Sequence, residues 1–164
     1  MKELEYPFDS SFLLQKRRKL KKALLADGSA RMEKRIAVLG GSTTNDIVSM
    51  LELFLLNCGI QPVFYQSEYA QYWQDAMFDA PELAAFQPDL IFIHTTSRNI
   101  TEAPLPMSAS EQEVQDALER QYTHFTQMWE HLAATYHCPI LQNNFELPAT
   151  RLMGNRDGWD CHGM

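Results

Sequence analysis

Residues Arg35 to Asn45, reading Arg-Ile-Ala-Val-Leu-Gly-Gly-Ser-Thr-Thr-Asn, restrict the fold more than any other part of the chain. Ile36 to Leu39 form a short apolar run suited to a buried strand, and Gly40-Gly41 allows a sharp turn into a helix beginning near Thr44. Ser42 then stands at the C-terminal tip of a strand. In open α/β sheets that edge binds ligands, because the next helix turns its free N–H groups into the crevice there.

The remaining segments repeat this grammar. Thr44 to Cys58 has Ile47, Met50, Leu51, Phe54 and Cys58 at helical spacing, with Val48, Leu53, Leu55 and Leu56 beside them. A helix apolar over so much of its circumference belongs against a sheet. Gly59 closes it, and Pro62-Val63-Phe64-Tyr65 is a second strand, so the unit reads as a parallel βαβ. Leu90-Ile91-Phe92-Ile93 is a third strand, ending in His94-Thr95-Thr96-Ser97-Arg98-Asn99. Ser108-x-x-Glu111 and Ser110-x-x-Glu113 are overlapping capping boxes for a long helix. Its stripe of Val114, Leu118, Tyr122, Phe125, Trp129, Leu132 and Tyr136 is expected to lie on the sheet. Cys138-Pro139-Ile140-Leu141 starts a fourth strand leading into Gln142-Asn143-Asn144-Phe145. In the aromatic stretch 66–88, the spacing of Tyr69, Tyr72, Trp73 and Ala76 fits a short helix facing the core better than a stacking platform.

Ahead of this, Ser10 or Ser11 can cap a helix running to about Ala26, which Gly28 stops. The domain expectation is a helical arm over 1–34 and an α/β domain over 35–164, a three-layer flavodoxin-like parallel sheet with helices on both faces. Charge is divided along the same line. Residues 1–35 carry ten Lys or Arg against five acids, whereas 36–164 carry four Arg and sixteen acids, or −12. Such a body is a poor nucleic-acid binder. The run Lys16 to Lys22 reads as a solvated helix face, with a phosphate or carrier-protein patch as the functional alternative.

At 164 residues with 45% hydrophobic content, the chain can bury a core. No apolar run reaches the roughly 18 residues of a membrane span, and no signal-peptide core opens the chain, so a cytoplasmic protein is expected. Cys58, Cys138 and Cys161 show no disulfide or zinc pattern, and Cys58 and Cys138 read as small core residues. Gly40-Gly41-Ser42-Thr43 lacks the lysine of a P-loop, and no GxGxxG occurs. Asp160-Cys161-His162-Gly163 lies in a polar tail without periodicity and reads as a loop.

Three strand tips thus carry polar groups that a doubly wound sheet brings to one crevice: Ser42-Thr43-Thr44, Ser97-Arg98-Asn99 and Asn143-Asn144. Together with the leucine-rich helix, the Glu68-Tyr69 turn, Gln142 to Glu146, Gly154-Asn155-Arg156 and the basic Arg17-Arg18-Lys19-Leu20, the pattern resembles the N-terminal region of FkbH-like proteins across essentially the whole chain. In that family this region is similar to SGNH (GDSL-type) hydrolases and precedes a haloacid-dehalogenase-type domain of subfamily IIIC. Its members are implicated in loading a glyceryl group from a phosphorylated three-carbon acid onto an acyl carrier protein in polyketide-type biosynthesis.

By this resemblance Ser42 matches the SGNH serine, Asn99 falls where an oxyanion asparagine is supplied, and His162 is the candidate base. Gly40, Gly41, Thr43, Thr44, Glu68, Arg98, Asn143 and Asn144 are the candidate substrate-binding residues. The usual Gly-x-Asn-Asp is absent, and Asp157, Asp160 and His162 do not reproduce the Asp-x-x-His of the last block. The chain is therefore expected to stop short of that block and of the dehalogenase-type domain. No cofactor is expected, Mg belonging only to that absent domain. Two functions follow: a module that binds a carrier-linked acyl or small phosphorylated substrate, and a serine esterase or acyltransferase using Ser42. Because His162 does not stand at the spacing the family uses for its base, and serine without one is a weak nucleophile, the sequence favours the first. Neither nucleic acid nor membrane is an expected partner.

Overall fold

The computed structural model describes residues 1–103, 105–146, 153–156 and 160. Four strands, β1 (Met32–Gly40), β2 (Ile60–Gln66), β3 (Leu90–His94) and β4 (Ile140–Gln142), form one parallel sheet in the order β2-β1-β3-β4. The chain starts in the middle, moves out to β2, then crosses to the other side. The order therefore reverses between β1 and β3, the position at which a crevice opens beyond the strand ends.

Helices cover both faces, giving the three-layer α/β fold. On one face α3 (Tyr72–Met77), α4 (Pro81–Phe86) and α5 (Glu111–Tyr136) bury Ala37, Leu39, Ile91 and Ile93 under Tyr72, Ala76, Leu83, Phe125, Met128 and Leu132. On the other, α2 (Asn45–Asn57) sets Val48 and Leu55 over Ile36, Val38 and Phe64. Its opposite side does not face water. Leu53 and Leu56 of α2 pack with Leu4 and with Leu13, Leu20 and Leu24 of α1 (Ser10–Ala26), which explains why α2 is apolar nearly all round. Arg17 pairs with Asp46 and Lys21 with Glu52 at 2.7 Å, so the two helices lie side by side in the same sense.

Arg31 locks this second layer in place. Its side chain is 8% exposed, Nε donates to Leu56 O at 3.0 Å and Nη2 to Leu24 O at 2.7 Å. One guanidinium thus satisfies carbonyls at the C-terminal ends of both α1 and α2, where a cation also meets the negative pole of each helix. Asp27 completes the group, accepting from Nη2 at 3.0 Å.

Several local features depart from the sequence reading. The cap of α1 is Asp9, whose carboxylate accepts from Phe12 N at 3.0 Å, one residue before the two serines. β1 begins at Met32 rather than Ile36, because its hydrogen-bonded register with β2 extends to Met32↔Ile60, beyond the apolar run. Cys58 is exposed at the end of α2, whereas Cys138 is half-buried and burial pushes its thiol up. Only the second capping box forms, Ser110 with Glu113. Leu118 and Tyr122 are 61% and 60% exposed, so the apolar stripe of α5 outruns the sheet. A helix of 26 residues is about 39 Å long, against about 17 Å for the five-residue β3. Among the described residues no helix is long and apolar enough to cross a membrane.

Candidate functional site

Gly40 of β1 lies opposite His94 of β3 in the parallel register. This register sets His94 beside the end of β1. Gly41 N donates to His94 O at 2.8 Å, which fastens the turn to the β3 tip, and Ser42 Oγ then stands 3.3 Å from His94 Nδ1. A serine hydroxyl within hydrogen-bond reach of an imidazole is the minimum arrangement for nucleophilic acyl transfer. Both residues are only half-buried, so the pair is open at the rim.

Each glycine of the turn is required by a close approach. A Cβ on Gly40 would meet Thr44 Cγ2 at 2.7 Å and Ser42 O at 2.9 Å. One on Gly41 would fall within 2.5 Å of Asn99 Cγ and Oδ1. Asn99 is a strut here. Its Nδ2 donates to Gly41 O at 3.1 Å, and its Oδ1 accepts from Thr96 N at 2.8 Å, closing a capping box on the 3-10 turn Ser97–Asn99. Gly41→Ala should therefore evict the Asn99 carboxamide and destabilise the fold by about 2 kcal/mol. Urea unfolding checks this, and Gly41→Ala combined with Asn99→Ala should lose less than the sum of the two single changes.

Thr44 is buried and precedes α2, but its side chain makes no cap; Oγ1 donates to Gln66 Oε1 at 3.4 Å. The first N–H groups of α2 thus open toward the rim beside Ser42, a favourable place for negative charge. Thr43 is exposed there. Gly40 N donates to Ser67 Oγ at 2.8 Å, so the residue just past β2 braces the turn from the other side.

The remaining sequence candidates divide. Asn143 does not face the Ser42–His94 pair with a free amide: its Oδ1 accepts from Thr95 N at 2.9 Å and its Nδ2 donates to Thr95 O at 2.7 Å. Gln142 continues the seam, donating to Thr95 Oγ1 at 2.9 Å and accepting from Trp129 Nε1 at 2.6 Å. Fully buried Thr95 is thereby satisfied on every polar atom, and the β3 tip that carries His94 is fixed to β4 and α5. Asn144 Oδ1 accepts from Phe145 N at 2.9 Å. Arg98 is exposed at the rim near Glu146, which accepts from Ser97 N at 3.1 Å and Ser97 Oγ at 3.0 Å. Hydrogen bonding from its own backbone N–H, then from Ser97, holds the Glu146 carboxyl below the usual range. Glu68 is exposed in the turn after β2 and accepts from Gln71 Nε2 at 3.3 Å. His162 and Asp157 lie outside the described residues. Among those described, no group of three or more His, Cys, Asp or Glu is arranged to hold a metal ion.

His94 and Ser67 were absent from the sequence candidates. The available signal was positional: both follow the last apolar residues of their strands, but only the register puts His94 beside the serine turn.

No family model matches the chain, and no curated protein matches it. Among solved structures it is similar to the N-terminal part of the protein BF1531 from Bacteroides fragilis, a crystal structure containing a phosphatase domain complexed with Mg. The similarity has a TM-score of 0.66 at 16% identity and covers 89% of this chain and 37% of that one. It therefore relates the two by fold, and this chain spans just over a third of its neighbour's length. Ornithine transcarbamoylase from Giardia lamblia is also matched, at a TM-score of 0.34 and 11% identity over 89% of this chain and 34% of its own.

Proposed function

We propose that this chain is the N-terminal, substrate- or carrier-binding domain of an FkbH-like protein, and that Ser42 takes up an acyl group of the glyceryl class during transfer to a carrier protein. The observation that supports this reading most is the hydrogen bond between Ser42 Oγ and His94 Nδ1 at the sheet's switch point. It supplies within the chain the base that a serine nucleophile needs.

Ser42 Oγ attacks the carbonyl carbon of an ester or thioester, and its proton passes to His94 Nδ1. The carbonyl oxygen takes the negative charge and is stabilised beside the free N–H groups at the start of α2. Collapse expels the alcohol or thiol, which receives the proton from His94, leaving the acyl group on Ser42. Water or an accepting thiol reverses the sequence.

The test is hydrolysis of a short p-nitrophenyl ester, together with labelling by a fluorophosphonate. Ser42→Ala should abolish both, and peptide mapping of the labelled parent chain by tandem mass spectrometry should place the label on Ser42. Turnover unchanged by the substitution rejects the reading.

A further inference from the structure

The ten cations of the first 35 residues are not equivalent once the chain is folded. Arg17 and Lys21 turn inward to Asp46 and Glu52, Arg31 caps two helices, Lys34 pairs with Asp89 at 3.5 Å, and Arg35 stacks over the Phe86 ring at 4.9 Å. Lys16, Arg18, Lys19 and Lys22 are exposed on α1 without an ion pair among the described residues.

Two of these cations fall into a line that an ordinary solvated face does not require. Leu14, Arg18, Lys22 and Leu25 are spaced by four, four and three residues, so they share one stripe of the helix. Leu14 and Leu25 are 51% and 46% exposed at its two ends. The stripe is apolar at each end and doubly positive in the middle, over about 17 Å or three helical turns. It lies away from Leu13, Leu20 and Leu24, which face α2.

From this we infer that the outer face of α1 docks an acidic helix of a partner protein, one that brings the acyl group to Ser42. The inference rests on the proposed function for its cargo, but the surface stands on charge and placement alone. Because α1 runs beside α2 in the same sense, with Arg17 pairing to Asp46 in the first turn of α2, the N-terminal half of α1 lies at the end of α2 that follows the Ser42 turn. A helix fits better than an extended polyanion. Residues 36–164 carry −12, so a nucleic acid or an anionic bilayer large enough to span the domain meets repulsion that a three-turn contact avoids.

Titration of the full 164-residue chain with a purified holo acyl carrier protein as the acidic probe tests this. Phosphatidylglycerol vesicles and a short DNA duplex serve as competing probes. The carrier should bind, weaken with added salt, and lose about tenfold in affinity on Arg18→Glu/Lys22→Glu and also on Leu14→Ser/Leu25→Ser. All four positions are exposed, so circular dichroism of the variants should be unchanged, and hydrolysis of the small ester should be unaffected by them. Equal affinity of variant and parent, or preference for vesicles or DNA over the carrier, overturns the proposal. Loss of ester turnover on Ser42→Ala with carrier binding intact leaves the docking surface standing, whereas carrier binding without any Ser42 chemistry removes only the proposed reaction.

Discussion

Arg31→Ala should lower the unfolding free energy by about 3 kcal/mol, the largest stability loss expected for a single polar side chain in this domain. The side chain is almost sealed from water and donates to the last-turn carbonyls of two helices, Leu24 O and Leu56 O. Alanine removes both charge-assisted hydrogen bonds and the cation that faces two helix C-termini. For a domain of this size the loss corresponds to a drop in Tm of about 6–12 °C. Lysine should recover only part of it, since a single ammonium cannot reproduce the planar fork that reaches two carbonyls at once. Thermal and urea unfolding of the two variants measure both claims; an alanine variant as stable as the parent would show that α1 is held by its leucines alone.

Asp27 gives the same site a pH signature. Hydrogen bonding from Ser29 N–H first, and then from Arg31, holds its carboxyl below the ordinary range. A lowered folded-state pKa contributes stability that is present above the unfolded aspartate value and lost as pH falls through the lowered one. The deficit of Arg31→Ala relative to the parent should therefore shrink on acidification through that window.

The second large effect concerns rate. His94→Ala should reduce kcat/KM for the small ester by about 10²- to 10⁴-fold, the range expected when a general base is removed. KM should change little, because His94 contacts the hydroxyl of Ser42 and not the body of the substrate. Asn99→Ala offers the contrast. Asn99 holds the turn through Gly41 O, so its loss should lower stability together with rate, whereas His94→Ala should leave unfolding nearly unchanged. A His94→Ala variant with parental kcat/KM would assign proton transfer elsewhere.

What the sequence discloses, and what it withholds, follows from the range of each interaction. Leu90-Ile91-Phe92-Ile93 is legible as a strand because a parallel strand buried on both faces is apolar throughout. The apolar circumference of α2 is equally legible, although the second surface it covers turns out to be α1 rather than more sheet. Leu118 and Tyr122 mislead for a simple reason: periodicity reports which side of a helix is apolar, not how far its support extends. Arg31 gives no local signal at all, since its role depends on two helices ending at the same place. The partnership of Ser42 with His94 is hidden in the same way, by a register between strands separated by some fifty residues. Asn143 shows the opposite case, a polar tip residue whose amide serves as a substitute for main-chain pairing where β4 is only three residues long.

From Ile47 onward, α2 has no exposed residue. A rod packed on two sides, against the sheet through Val48 and Leu55 and against α1 through Leu53 and Leu56, cannot roll about its own axis without uncovering one apolar seam or the other. The two-residue link from Ser42 to that rod therefore inherits a set azimuth, and the aim of the hydroxyl is governed by leucines two layers away on α1.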